Sequence, residues 1–209
     1  MASTGNVQGA RAPALQADAA ARLDGLTRAA SQAGVKGPPP VHLWNPPFCG
    51  DIDMRIAADG TWFYGGTPIG RPALVRLFAS ILRQDPERVV LVTPVERVGI
   101  RVDDAPFLGV ELQAEGHGSG QRLRLRTNVE DWVDIGPGHA LRFAPGASGG
   151  LKPYVHVRGG LEALVKRALF YDLVALGETR MIDGQRMFGV MSGGAFFAMA
   201  PVADIEGAA

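Results

Sequence analysis

The sequence predicts an α+β protein, mostly antiparallel sheet with a few helices, and three observations carry that reading. Short runs of alternating apolar and polar residues, such as Ile52-Asp53-Met54-Arg55-Ile56, recur along the chain with the two-residue period of a half-buried strand. Clusters of Gly, Pro, Asn and Asp separate them, and these are the residues that tight turns require. Three further stretches repeat apolar residues every three or four positions, the spacing of an amphipathic helix.

The elements follow in order. Leu15, Ala19, Leu23, Leu26 and Ala30 predict one amphipathic helix within residues 1–40, an otherwise mobile segment that closes in the Gly37-Pro38-Pro39-Pro40 spacer. A first α+β domain is expected over 41–110. Ile52, Met54 and Ile56 mark a strand, Ala58-Asp59-Gly60 a turn, and Thr61 to Tyr64 the return strand. Gly65 to Gly70 breaks the sheet, and Pro72 suits the first turn of a helix. Leu74, Val75, Leu77, Phe78, Ile81 and Leu82 then share one helical face, with Gln84-Asp85-Pro86 as its end. Val89–Val92, Val98–Val102 and Leu108–Leu112 read as strands. A second domain is expected over 111–209. Gln121–Thr127, Trp132–Ile135 and Tyr154–Val157 are its strands, with residues 136–150 as loop. Leu161, Leu164, Val165, Ala168, Leu169 and Leu173 predict its helix, and Arg186–Val190 and Ala195–Met199 its closing strands.

The order hairpin, Gly/Pro break, helix, strands thus occurs twice. Setting Met54-Arg55-Ile56 on Leu125-Arg126-Thr127 aligns Gly65 with Gly136 and Arg71 with Arg142. Duplication explains this. So does the fact that hairpin plus helix is a common packing solution.

Composition narrows the function. The 209 residues carry 21 basic and 21 acidic side chains, a net charge of zero. General nucleic-acid binding needs a surplus of Lys and Arg, so the composition argues against that class and against docking on anionic lipid. A single cysteine, Cys49, rules out an intrachain disulfide. No signal-peptide pattern and no apolar run of spanning length is visible, so the expected location is the cytoplasm.

No arrangement of nucleophile, base and orienting group emerges. Cys49 lies seven residues from His42, with no further partner apparent from spacing. The four histidines lack zinc-ligand spacing. Ser192 in Val190-Met191-Ser192-Gly193-Gly194 lacks the leading glycine of a nucleophile elbow. Asp51 and Asp53 share one strand face and could assist a metal-dependent hydrolase, the third of the functions considered. More informative are two glycine-lined helix entrances, Gly65-Gly66-Thr67-Pro68-Ile69-Gly70-Arg71 and Arg158-Gly159-Gly160. A helix N-terminus offers free N–H groups and partial positive charge to an anion. Ordinary strand-to-helix turning explains the glycines equally well. Arg122, Arg124 and Arg126 form a row on one strand face, either a basic stripe or a face balanced by Glu111 and Glu115.

Several blocks together resemble a known family. They are Cys49-Gly50-Asp51-Ile52-Asp53-Met54-Arg55-Ile56, Asp59-Gly60-Thr61-Trp62-Phe63-Tyr64, Pro68-Ile69-Gly70-Arg71 and Leu91-Val92-Thr93-Pro94-Val95-Glu96, with Pro153-Tyr154-Val155 through Arg158-Gly159-Gly160-Leu161. The chain resembles the proteobacterial family filed as domain of unknown function 1285, from about Val41 to Met199. It departs from that family at Met191, where a tryptophan is expected before Ser192-Gly193-Gly194. The resemblance implies two structurally related α+β domains, the second similar to pleckstrin-homology folds. It also implies a site for a nucleotide-like ligand at the domain interface and a signalling role. It carries no catalytic residue and no cofactor.

The leading expectation is therefore a regulatory protein that binds a small anionic ligand between its halves. Arg55, Arg71, Arg142 and Arg158 would supply charge, Gly66 and Gly160 backbone N–H groups, and Trp62 a stacking surface. A protein-interaction scaffold without a small ligand is the second function considered.

Overall fold

The computed structural model describes residues 21, 23–32, 39–146 and 150–206. The expected mobile start, the helix positions Leu15 and Ala19 and the start of the Pro-rich spacer lie outside the described residues. Residues 23–32 are helical (α1), and Leu26 and Ala30, two of the apolar positions spaced for a helix, are buried.

The chain divides into two units. Unit 1 comprises residues up to Arg55 together with Thr61–Arg101, and unit 2 comprises Ile56–Gly60 with Val102 onward. Six strands make the first sheet: β1 (Phe48–Ile56), β2 (Trp62–Tyr64), β3 (Thr67–Pro68), β4 (Leu82–Asp85), β5 (Arg88–Val92) and β6 (Arg97–Val102). Their order across the sheet is β3-β2-β1-β6-β5-β4. Met54 and Ile56 point to the core, as the alternation predicts, and Trp62 stacks on Phe78 of α2 (Pro72–Ser80), both fully buried.

The second sheet, in unit 2, is built from β7 (Phe107–Glu115), β8 (Arg122–Thr127), β9 (Trp132–Ile135), β10 (Leu141–Pro145), β11 (Leu151–Arg158) and β12 (Leu161–Val165). Their order is β10-β11-β12-β7-β8-β9. Numbering each set of six from its own first strand gives 3-2-1-6-5-4 in both sheets. The two sheets therefore share one strand topology, with β7 equivalent to β1 and β8 to β2. This corrects the sequence alignment, which set β1 on β8 and was displaced by one strand. The helices do not follow the repeat: α2 connects the third and fourth strands of the first sheet, whereas α3 (Arg167–Ala175) follows the sixth strand of the second. A third, smaller sheet in unit 2, β13 (Glu178–Ile182), β14 (Gln185–Ser192) and β15 (Ala195–Pro201), leads to a short α4 (Val202–Glu206).

Two helix boundaries are corrected. The first helix stops at Ser80, and Leu82–Asp85 is strand β4, joined to β5 by a two-residue turn at Pro86-Glu87. Ile81 and Leu82 satisfy the helical spacing, but they are equally buried as the approach to a strand. The second helix begins at Arg167, and Leu161–Val165 is strand β12. Its buried residues Leu161, Ala163 and Val165 alternate with half-buried Glu162 and Leu164. Over five residues, apolar positions at i, i+3 and i+4 do not separate a period of 3.6 from a period of 2. Strand β10, inside the expected loop, and strand β13 are additional to the sequence reading.

Candidate functional site

The two glycine pairs expected to open helices are hairpin turns. Gly65 and Gly66 have φ of 56° and 73°, and Tyr64 pairs directly with Thr67 across them. Gly159 and Gly160 have φ of 52° and 82° between the partners Arg158 and Leu161. Positive φ at both central residues is the backbone of a two-residue hairpin whose twist matches its strands, and glycine adopts it without steric penalty. The N–H groups of Gly66 and Gly160 therefore belong to turns, not to a helix terminus. Gly160 donates its N–H to His156 Nε2 at 3.2 Å.

The other expected ligand residues are also placed by local packing. In unit 1, Arg55 lies over the Phe63 ring at 5.6 Å, and Trp62 is in the core with no open ring face. Arg71 is the exposed N-cap of α2, ahead of Pro72. In unit 2, Arg142 sits 4.3 Å from the centre of the Tyr154 ring and bonds both oxygens of Glu162. Arg158 lies over Phe107 at 5.0 Å and bonds Asp131 at 2.9 Å. Within unit 2, Arg142 and Arg158 diverge. Arg142 pairs with Tyr154 across β10 and β11, whereas Arg158, next to the register shift in β11, contacts Phe107 and Asp131.

The groups considered for catalysis have structural partners. Ser192 is buried; its Oγ accepts the Leu123 N–H at 2.9 Å and donates to the Ile135 carbonyl at 2.6 Å. His156 Nδ1 lies 3.3 Å from the Gly138 carbonyl, and its Nε2 accepts from the Gly160 N–H. The thiol of Cys49 donates weakly to the Pro47 carbonyl at 3.6 Å. Arg124 and Arg126 of the basic row are balanced by Asp134, Glu111 and Glu130. Among the described residues, no three of His, Cys, Asp and Glu converge on a metal-sized position. Asp51 instead bonds Arg88 at 3.1 Å, passing over Gly99 of β6, where a Cβ would collide with its Oδ1.

That crossing leads to a cleft in unit 1 of about 330 Å³, lined by Phe48, Asp85, Pro86, Glu87, Arg88 and Arg97. Four strands bring these residues together. Phe48 starts β1, Asp85 ends β4, Arg88 starts β5 after the Pro86-Glu87 turn, and Arg97 starts β6. The guanidiniums of Arg88 and Arg97 both approach the Phe48 ring, at 5.0 and 5.8 Å. Phe48 is 42% exposed. Asp85 is saturated: Arg83 bonds it at 2.7 Å and Arg97 Nη1 at 3.0 Å. Arg83 also donates to the carbonyls of Val41 and Trp44, which secures the segment before β1. The Nε–H of Arg97 is buried and finds no acceptor in the protein. A buried, unpaired donor on a charged group costs on the order of 1–3 kcal/mol or more, and an arriving oxyanion would relieve it.

Sequence reasoning missed this cleft. Its signal is charged residues at strand termini on either side of the Pro86-Glu87 turn, and it was hidden because Leu82–Asp85 was assigned to the end of a helix.

In unit 2 a second polar cluster forms around Asp104. Its carboxylate accepts from Tyr154 Oη at 2.7 Å and from Lys152 Nζ. Burial pushes this carboxyl up, but the hydrogen bonds from Lys152 and Tyr154 outweigh it and leave Asp104 below the ordinary carboxylate value. Burial, with Asp104 as neighbour, pushes the Tyr154 phenol up. Each oxygen of the Asp104 carboxylate thus has its own donor.

Comparison with known proteins follows the same division. Residues 39–105 match the model of the DUF1285 N-terminal domain, a domain of unknown function, and residues 106–199 match that of the DUF1285 C-terminal domain. The chain is similar to a crystal structure of a DUF1285 family protein from Silicibacter pomeroyi DSS-3, at 55% identity and a TM-score of 0.79, over 87% of this chain and 97% of that one. A DUF1285 family protein from Shewanella baltica OS155 is 28% identical over 59% of this chain and 91% of its own, with a TM-score of 0.47. No curated protein matches.

Proposed function

The chain belongs to the DUF1285 family, and on that footing we propose that it is a regulatory binding protein for a small anionic ligand, held in the unit 1 cleft of Phe48, Arg88 and Arg97. One observation carries the reading: two guanidiniums converge on an exposed aromatic ring, and one of them keeps an N–H with no acceptor. Arg97 is held by Asp85 through Nη1, so its Nε–H is fixed in place before any ligand arrives. Arg88 is more loosely held. Its partners Asp51 and Glu87 are 69% and 85% exposed, and ion pairs this exposed contribute little. An incoming anion competes with them at small cost. The Nε–H lies beneath the surface, on a side chain that lines the cleft.

The test is calorimetric titration of the protein at low ionic strength with benzoate, AMP and inorganic phosphate. The same titrations are made on Arg97→Lys, which keeps the charge beside Asp85 and removes the Nε–H. Binding of at least one probe, weakened about ten-fold or more in the folded variant, supports the reading. Flat isotherms for all three probes, or equal affinity in Arg97→Lys, overturn it.

A further inference from the structure

Charge and donor count in the same cleft narrow the ligand class, on the assumption that the anion reading above holds. The charged lining is two acids, Asp85 and Glu87, against two bases, Arg88 and Arg97, a sum of zero. Asp51 adds a further carboxylate against Arg88, and Arg83 a further cation against Asp85. The cleft therefore has no surplus of positive charge. A phosphate dianion or a nucleotide would place two or more negative charges beside Asp85, Glu87 and Asp51, and at a few ångströms each such pair is repulsive even near the surface. A ligand with one negative charge meets far less opposition. The unsatisfied donor is a single N–H, which one oxygen satisfies. The remaining lining is flat and apolar: the Phe48 ring and the Pro86 ring. The volume of about 330 Å³ stands at the small end of ligand sites, which run from roughly 300 to 1,000 Å³.

We infer that the ligand is a monocarboxylate with a flat apolar body, its carboxylate on Arg97 Nε and Arg88 and its body against Phe48 and Pro86. Phosphate esters and nucleotides are the class that the carboxylates of this cleft reject.

The experiment compares affinities for benzoate, AMP and inorganic phosphate in the wild type, Arg97→Lys and Phe48→Leu, with circular dichroism to establish that each variant is folded. Benzoate is expected to bind at least ten-fold more tightly than AMP or phosphate, and to lose about ten-fold in Arg97→Lys. Phe48→Leu is expected to weaken benzoate and leave phosphate unchanged. If AMP or phosphate binds more tightly than benzoate and still depends on Arg97, the carboxylate class is overturned while the anion reading stands. If no probe binds, both fall. Should Arg97→Lys fail to fold, Arg88→Gln takes its place, and unchanged benzoate affinity in that variant overturns the inference.

Discussion

Asp104 shows how a single side chain is decided by opposed effects. Burial alone would raise its pKa, but hydrogen bonds from Lys152 and Tyr154 favour the carboxylate more strongly. Because the folded value lies below the unfolded one, the group stabilises the fold at pH above about 4, the ordinary carboxyl value. That stabilisation disappears as pH falls through the lower folded value. Asp104→Asn is therefore expected to destabilise by about 1 kcal/mol at neutral pH, allowing for the partial exposure of Lys152. In thermal unfolding this is a drop in Tm of about 2–4 °C. The gap between variant and wild type should narrow as pH is lowered below about 4. A gap that widens in acid would contradict the assignment. The contrast with Arg97 is instructive. Asp104 is surrounded by partners that satisfy it, whereas Arg97 retains a buried donor that nothing in the protein satisfies.

Among the elements, the glycine pairs carry the sharpest lesson. The sequence shows Gly65-Gly66 and Gly159-Gly160 at breaks in the pattern, and both a helix entrance and a hairpin turn use glycine there. The structure makes both of them turns. A Cβ at Gly159 meets nothing within 4 Å, so only the left-handed backbone opposes a side chain. Gly159→Val is expected to cost about 1–2 kcal/mol in denaturant unfolding, while Gly159→Asn stays within about 0.5 kcal/mol. Equal stability of the two variants would thus contradict the turn.

The same ambiguity explains which elements were legible. Strand β1 was, because Ile52, Met54 and Ile56 alternate strictly with Asp53 and Arg55, a spacing that no helical face reproduces. Strand β12 was not, because Leu161, Leu164 and Val165 also fit a helix. Strand β4 was concealed for the same reason: Ile81 and Leu82 extend the helical spacing of α2 past its end.

For the whole molecule, the repeated order 3-2-1-6-5-4 is the clearest architectural finding. Duplication was visible in the sequence only as a recurring order of elements, and the alignment drawn from it was shifted by one strand. Hairpin units look alike, so a register based on a few glycines and arginines slips easily by one strand. The candidate site was less legible still. Arg55, Trp62, Arg142 and Arg158 were singled out for residue type and proximity to glycine, yet each is bound into the packing of its own unit. Phe48, Arg88 and Arg97 come from three strands and become neighbours only once β4, β5 and β6 are laid beside β1. A ligand there at one hundred times its Kd would stabilise the folded protein by about 2.7 kcal/mol, well above the effect of any single surface pair.

The central claim is that the Arg97 Nε–H donates to an anion. The most direct test follows the ¹⁵N-labelled arginine Nε–H signals by NMR during a benzoate titration. The account predicts one Arg Nε–H signal, assigned to Arg97 by its loss in Arg97→Lys, that shifts saturably as Phe48 and Arg88 respond. An Arg97 signal that stays fixed while benzoate perturbs other parts of the protein, or no response at all, would contradict it.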